Sequence, residues 1–487
     1  MTDDDPAKTD TPSAGHGVIV RAPNGAVIRY DPTGLVLRLS DTVIADIALR
    51  LGQTAEASPG AAEMRPTAQL ADTVDTDHLL DGIDAWGVAQ DGDWLRFTAR
   101  LPGAQGVRGF RRHVDGGAIL GDGPGAVLGI LGLGGPRAAL ATPGAPAFAH
   151  HIVAPEDDIG AVGMAGIEAA PATDRLEPLR ECPREALVAE TLLHWQMGKF
   201  APLPLIVTRV ETDASASAAA LASGRAVENL IAAAANLKSA AARMGKRARL
   251  LAVHLDYALE HVTGDAIAYR DGMLAVMARV EAGLGALGFD QPLFVAVFEA
   301  GLDPDSAAAV LAGQWDLAWN HGDHRLIHAA PSYMFARDRF DSPTEEARRQ
   351  MAEMTAAAIA EGPDWRCPTL FLAEREPDDP AVIRVTAQGD GPLILDGQAP
   401  AGFALRGDTA GATITGVEIA PDDPQAILIR CDTPPAGEGL HLGYAAGGPG
   451  ALRDGWEMES RTGMILHRWA LPAILPVHAG KTGGSDA

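Results

Sequence analysis

Serine, histidine and aspartate are the side chains of this sequence whose types and spacing could do chemistry, and they fall in four short stretches. Ser215 and Ser217 follow the apolar run 202–208. A serine hydroxyl becomes a nucleophile only beside a general base and near N–H groups that can hold an oxyanion. Residues 208–217 contain no glycine for such a turn, and their Thr, Asp and Ser side chains equally suit the cap of a following helix. His254, Asp256 and His261 follow a second apolar run, 249–254. Ligands bind at strand ends of open α/β sheets, so these three are expected to line a cleft; three separately satisfied polar residues is the other reading. Residues 320–328 place His321, Asp323, His324 and His328 within nine positions. The spacing fits no established ligand pattern, which favours a polar loop at a sheet edge, with no metal and no cofactor. Asp338 and Asp341 precede the helical run 345–354. A carboxylate, with an ordinary pKa of about 4 against about 6.5 for imidazole, cannot take a serine proton at neutral pH.

The elements that must hold these residues are legible as periodicity. The runs 202–208, 249–254 and 292–298 read as buried strands, and 224–244 and 265–287 as helices between them. Strand, helix, strand, helix, strand implies right-handed crossovers and a parallel sheet. Before them, 17–21 and 26–30 flank the turn 23–25 as a hairpin, and 94–98 and 125–131 are strand-like among glycines and prolines. Beyond residue 380 helices give way to the strand candidates 381–385, 412–417 and 426–430. Trp315, Trp319 and Tyr333 are expected to rim the cleft, where flat rings stack on the apolar face of a sugar.

Composition narrows the partners. The chain has 487 residues, with 64 acidic against 39 basic side chains and a formal charge of -25. That balance argues against nucleic acid, which needs clustered Lys and Arg. Cys182, Cys367 and Cys431 lie too far apart for a disulfide framework or a zinc knuckle. The start, Met1-Thr2-Asp3-Asp4-Asp5, lacks the pattern of a signal peptide and no 18-residue apolar run appears, so cytoplasmic synthesis without membrane insertion is expected.

Taken in order, the segments 229–252, 269–274, 292–298 and 331–354 resemble the SGNH-type hydrolases, most closely the sialate and carbohydrate O-acetylesterases, over about residues 185–478. In that family an Asp-x-x-His segment precedes a polar turn and a helix. The resemblance places Asp338 at the aspartate and Asp341 at the histidine. It also sets residues 254–261 against a Gln-Gly-Glu-Ser-Asp type of loop whose glycine and glutamine are absent here. The segments 402–403, 452–454 and 466–472 look like the closing β module of some of these esterases.

The fold implied is α/β, a central flavodoxin-like parallel sheet with helices on both faces, between a β-rich N-terminal region and a C-terminal β-sandwich. The expected boundaries are a disordered arm 1–16, a β-rich domain 17–150 for attachment or oligomerisation, an α/β domain 151–378, a β-sandwich 379–478 and a disordered tail 479–487. The function implied is a catalytically silent esterase-like protein that binds a cell-surface or capsular polysaccharide, with ligand contacts from His254, Asp256, His261, Trp315, Trp319, Tyr333, Asp338 and Asp341. This architecture resembles spike and fibre proteins of phages and gene transfer particles, which implies a particle or base protein as partner of the N-terminal region, and self-association. Two alternatives stand: a working carbohydrate O-acetylesterase using Ser215 or Ser217 with His254 or His328, and a structural scaffold without ligand.

Overall fold

The run Val127–Gly134, here β1, is apolar on both sides and rich in glycine, the composition of a strand enclosed by close neighbours. In the computed structural model, which describes residues 17–22, 25–31, 34–37, 76–164, 168–213, 216–256, 265–299 and 304–479, it is the hub of the largest sheet. The other strands of that sheet are β2 (Ile152–Pro155), β3 (Val162–Met164), β4 (Leu176–Pro178), β5 (Ile206–Thr212), β6 (Ala248–Asp256), β7 (Leu293–Phe298) and β8 (Arg325–Pro331). Their order is β4-β2-β5-β1-β6-β7-β8, with β3 alongside β5. All neighbours run parallel except β4, which is antiparallel to β2. The register puts Gly134, Thr212 and Asp256 level, so the ends of β1, β5 and β6 open onto one place.

Helices α1 (Arg184–Gly198), α2 (Arg225–Arg243), α3 (Ala266–Ala286), α4 (Pro304–Trp319) and α5 (Glu345–Glu361) pack on this sheet. Leu131 and Leu133 join Leu230, Val253, Val276 and Phe294 in one core, while Ile130 joins Ala186, Leu193, Ala352 and Ala356 in another. The alternation of Ile130 and Leu131 between two cores is the period-2 pleat of a strand.

The division into compact units falls between Thr73 and Val74. The first unit contains Gly17–Ala22, Gly25–Asp31 and Gly34–Leu37, paired antiparallel in sequence order. The expected arm 1–16 and turn residues 23–24 lie outside the described residues, as does the tail from 480. The second unit begins with a four-stranded antiparallel sheet, Ala85–Asp91, Trp94–Arg100, Val107–His113 and Gly116–Gly121, closed over Phe97 and Phe110.

The expected flavodoxin-like fold class does not hold. Strands, at 36% of the described residues, outweigh helices at 26%, and they are spread over several sheets. The largest sheet is mixed, and its centre is β1, which the sequence reading placed in the β-rich region before residue 150. The C-terminal part is likewise not a sandwich of two equal sheets. Phe403–Arg406, His441–Tyr444, Ala473–His478, Thr369–Arg375, Val382–Gln388, Ala426–Cys431 and Ile414–Ile419 form one seven-stranded sheet in that order. Its end strands approach each other, so the sheet nearly closes as a barrel around Phe403, Ile427, Tyr444 and Leu475. A three-stranded sheet of Ile394–Leu395, Leu452–Glu459 and Ile465–Trp469 flanks it. Alternating short strands announce half-buried sheet, but which edges meet is fixed by contacts distant in sequence.

Candidate functional site

Four strands of the main sheet, β1, β6, β7 and β8, deliver polar side chains to the same end. After β1, the turn Gly134-Gly135-Pro136 passes into a short 3₁₀ helix, Pro136–Ala139, that carries Arg137. Glu299 immediately follows β7, Ser332 immediately follows β8, and Arg337 and Asp341 lie in the loop between β8 and α5. Arg137 Nη1 is 2.6 Å from Glu299 Oε2, and its Nη2 is 3.5 Å from Asp341 Oδ2. Arg337 closes the ring from the other side, donating to Asp341 Oδ1 at 2.9 Å and to Glu299 Oε1 at 2.7 Å. Two guanidinium groups and two carboxylates thus alternate around a closed square.

Ser332 is drawn into the same ring. Its hydroxyl donates to Glu299 Oε1 at 2.8 Å and accepts from Arg337 Nη2 at 2.9 Å. A serine beside a carboxylate resembles a nucleophile with its base, but the electrostatics run the other way. Burial opposes ionisation of Glu299, yet Arg337 and Arg137 overcome it and hold the carboxyl below its ordinary range. A group with lowered proton affinity is a poor general base. Among the described residues no histidine ring nitrogen hydrogen-bonds a serine hydroxyl.

Next to the ring, Asp256 at the end of β6 pairs with Arg184 at 2.5 Å. His254, two residues earlier and 2% exposed, points its Nδ1 at Glu185 Oε1, 3.0 Å away, while its Nε2 is buried without a partner. Gly132 on β1 makes this possible, because a Cβ there would collide with the Glu185 carboxylate. The cleft bounded by Arg137, Arg184, Glu299, Ser332, Arg337 and Arg348 retains about 30 Å³ of free volume. That is room for roughly one water molecule, so the charged side chains fill the cleft they line.

Asp341 adopts a left-handed backbone, φ 60°, and faces both arginines. Asp338 does something different: its Oδ1 accepts the N–H groups of Phe340 at 2.8 Å and Ser342 at 3.0 Å. It is a turn former that fixes the bend on which Asp341 rides. Ser217 caps the short helix Ala218–Ala222, accepting from the Ala220 N–H at 3.2 Å. Ser215 and His261 lie outside the described residues.

The aromatic residues divide. Trp315 donates its indole N–H to the Leu370 carbonyl at 2.7 Å, and Tyr333 its hydroxyl to the Ala470 carbonyl at 2.7 Å, so both are packing contacts to the C-terminal sheets. Trp319 lies elsewhere, with His321, His324 and His328, around a wider pocket of about 420 Å³ at the beginnings of β7 and β8. Burial pushes the His328 imidazole down to about 4, aided by the nearby His321. Among the described residues no group of three His, Cys, Asp or Glu is placed to hold a metal ion.

Arg137, Arg184, Glu185, Glu299, Ser332 and Arg337 were not singled out by residue type. Their signal is positional: Glu299 and Ser332 follow directly on parallel strands and Arg137 lies three residues after one, and that becomes visible only when β1 is recognised as one of those strands.

No family model matches the chain. No curated protein matches it either. Among solved structures it is similar to a carbohydrate acetylesterase from Xanthomonas citri, at 13% identity and a TM-score of 0.48, over 76% of this chain and 85% of that one. It is similar to a protein from Arabidopsis thaliana at 10% identity and a TM-score of 0.31, over 48% and 98% of the two chains. The N-terminal part of the bacterial S-layer protein SbsC matches at 14% identity and a TM-score of 0.17, over 44% and 40%. Likeness at this distance carries no functional argument, which rests on the side chains themselves.

Proposed function

We propose that this protein is catalytically silent and binds a polysaccharide. The observation that carries the silence is the Arg137–Glu299–Arg337–Asp341 square at the strand ends, where acyl transfer would need a serine, a base and an open oxyanion site. Each carboxylate is neutralised, the serine is tied to one of them, and the space left admits a water rather than an acyl group. Binding is supported by a second opening in the same unit, of a size suited to one or two sugar rings and walled partly by tryptophan.

The test pairs two measurements on the full chain. Incubation with a fluorogenic acetyl ester is expected to give no turnover above buffer, and passage over an immobilised polysaccharide panel is expected to retain the protein. Turnover abolished by Ser332→Ala or Ser217→Ala would establish a serine esterase and overturn the reading. Absence of both turnover and retention would leave a scaffold without ligand.

A further inference from the structure

The wider pocket has a composition at odds with its chain. The protein carries 64 acidic and 39 basic side chains, yet among the described residues no aspartate or glutamate lines this pocket, while Arg325, Arg366 and His321 do. It is built where the beginnings of β7 and β8 and the end of α4 meet the strands Thr369–Arg375 and Val382–Gln388, at the opposite end of the sheet from the ion-paired square. Arg325 and Arg366 are exposed, and neither makes an ion pair or side-chain hydrogen bond among the described residues. In a chain with this acidic excess, two arginines left unpaired on one pocket are cations held available.

The walls also offer a flat ring and polar side chains. The Trp319 ring rests edge-on against Trp315 and Phe371, at centroid distances of 6.1 and 5.7 Å, which holds it as a rigid plate. Thr369 and Gln388 add hydroxyl and amide groups to the lining. A flat ring, the Thr369 hydroxyl and Gln388 amide, and two guanidinium groups match a pyranose that bears a carboxylate: the ring face stacks, the hydroxyls meet the polar side chains, and the anion meets a planar fork.

Resting on the polysaccharide-binding reading, we infer that this pocket, and not the cleft at the strand ends, is the saccharide site, and that its ligand is an acidic sugar carrying a carboxylate. Binding would be measured by titration calorimetry with oligomers of polygalacturonate, alginate and polysialic acid, and with methyl-esterified polygalacturonate as the neutral counterpart. At least one carboxylated oligomer is expected to bind, with the methyl ester weaker. Arg325→Ala combined with Arg366→Ala is expected to cost at least about tenfold in affinity, the scale of one lost charge-assisted hydrogen bond. Both arginines are exposed, so an unchanged thermal midpoint confirms folding, and Trp319→Ala gives an independent second variant.

Equal affinity for the methyl ester, or carboxylate binding untouched by both variants, would overturn the acidic-sugar site while leaving a glycan-binding protein. Failure of every oligomer here, with neutral glycans retained on the panel, would do the same. Failure of acidic and neutral glycans alike would remove both proposals.

Discussion

Glu299 is the residue on which the charged square turns. Both Arg137 and Arg337 contact it at short range, and it also receives the Ser332 hydroxyl. Removing one member of a largely buried ion pair leaves its partners desolvated and unmatched, a penalty of roughly 3 kcal/mol. Glu299→Ala is therefore expected to lower the denaturant midpoint substantially; a change within measurement error would mean the square is solvated. The acid response follows from the same contacts. The two arginines keep the folded Glu299 carboxyl below its ordinary 4.5, so its contribution is fully present above that value and is lost as pH falls through the lower folded one. Glu299→Gln is expected to flatten the acid limb of the stability curve below pH 4.5 and leave the neutral region's slope unchanged. At this scale the sequence disclosed the oddity of Asp341 but not its purpose. A carboxylate in a place suited to imidazole is a local fact, whereas its partner Arg137 comes from a loop 204 residues upstream.

At the level of elements, the apolar runs taken as strands and the alanine-rich run taken as a helix appear within a few residues of their expected places. Ile206–Thr212, Ala248–Asp256 and Leu293–Phe298 are strands, and Arg225–Arg243 is a helix. The first begins later than its apolar run because Pro202 and Pro204 lack the N–H that a ladder requires. β1 is legible as a strand at 125–131, but its sequence assigns it to the β-rich N-terminal region and not to the parallel sheet it centres. Its glycines at 129, 132 and 134 look like loop texture in sequence, and in the fold they are clearances. A Cβ on Gly134 would strike the Asp256 carbonyl and lie 2.5 Å from the Ala138 side chain, and the Gly135 N–H donates to that same carbonyl at 3.0 Å. Backbone cannot yield as a flexible side chain does, so Gly134→Ala is expected to cost about 2 kcal/mol or more and to displace Arg137. Gly109, in the strand Val107–His113, has nothing within 4 Å of an added Cβ. Gly109→Ala should be near neutral in the same denaturation experiment, and equal losses at both positions would show that close packing is not what β1 requires.

For the whole molecule, the response to acid sets two long-range effects against each other. With a formal charge of -25 and an isoelectric point near 4.9, acidification removes self-repulsion and by itself favours the compact state. Buried histidines oppose this. His151, hydrogen-bonded to the Pro204 carbonyl at 3.2 Å, and His328 are both pushed by burial from 6.5 to about 4, and burial lowers His113, His150 and His194 in the same direction. Between those limits protons bind the unfolded chain and not the folded one, so stability falls as pH drops from 6.5 toward 4. A shift of that size bounds the contribution of His328 at on the order of 3 kcal/mol, comparable with a sizeable share of a domain's total stability. The histidine term is therefore expected to win over relieved repulsion, and the window from 6.5 to 4.5 separates it from the carboxylate loss at Glu299 below. Denaturant midpoints measured every half pH unit should decline over that window in the native sequence and decline less in His328→Leu. Because both proteins share nearly the same net charge, their difference isolates the imidazole, and parallel curves would show that His328 is hydrated through the wide pocket it borders.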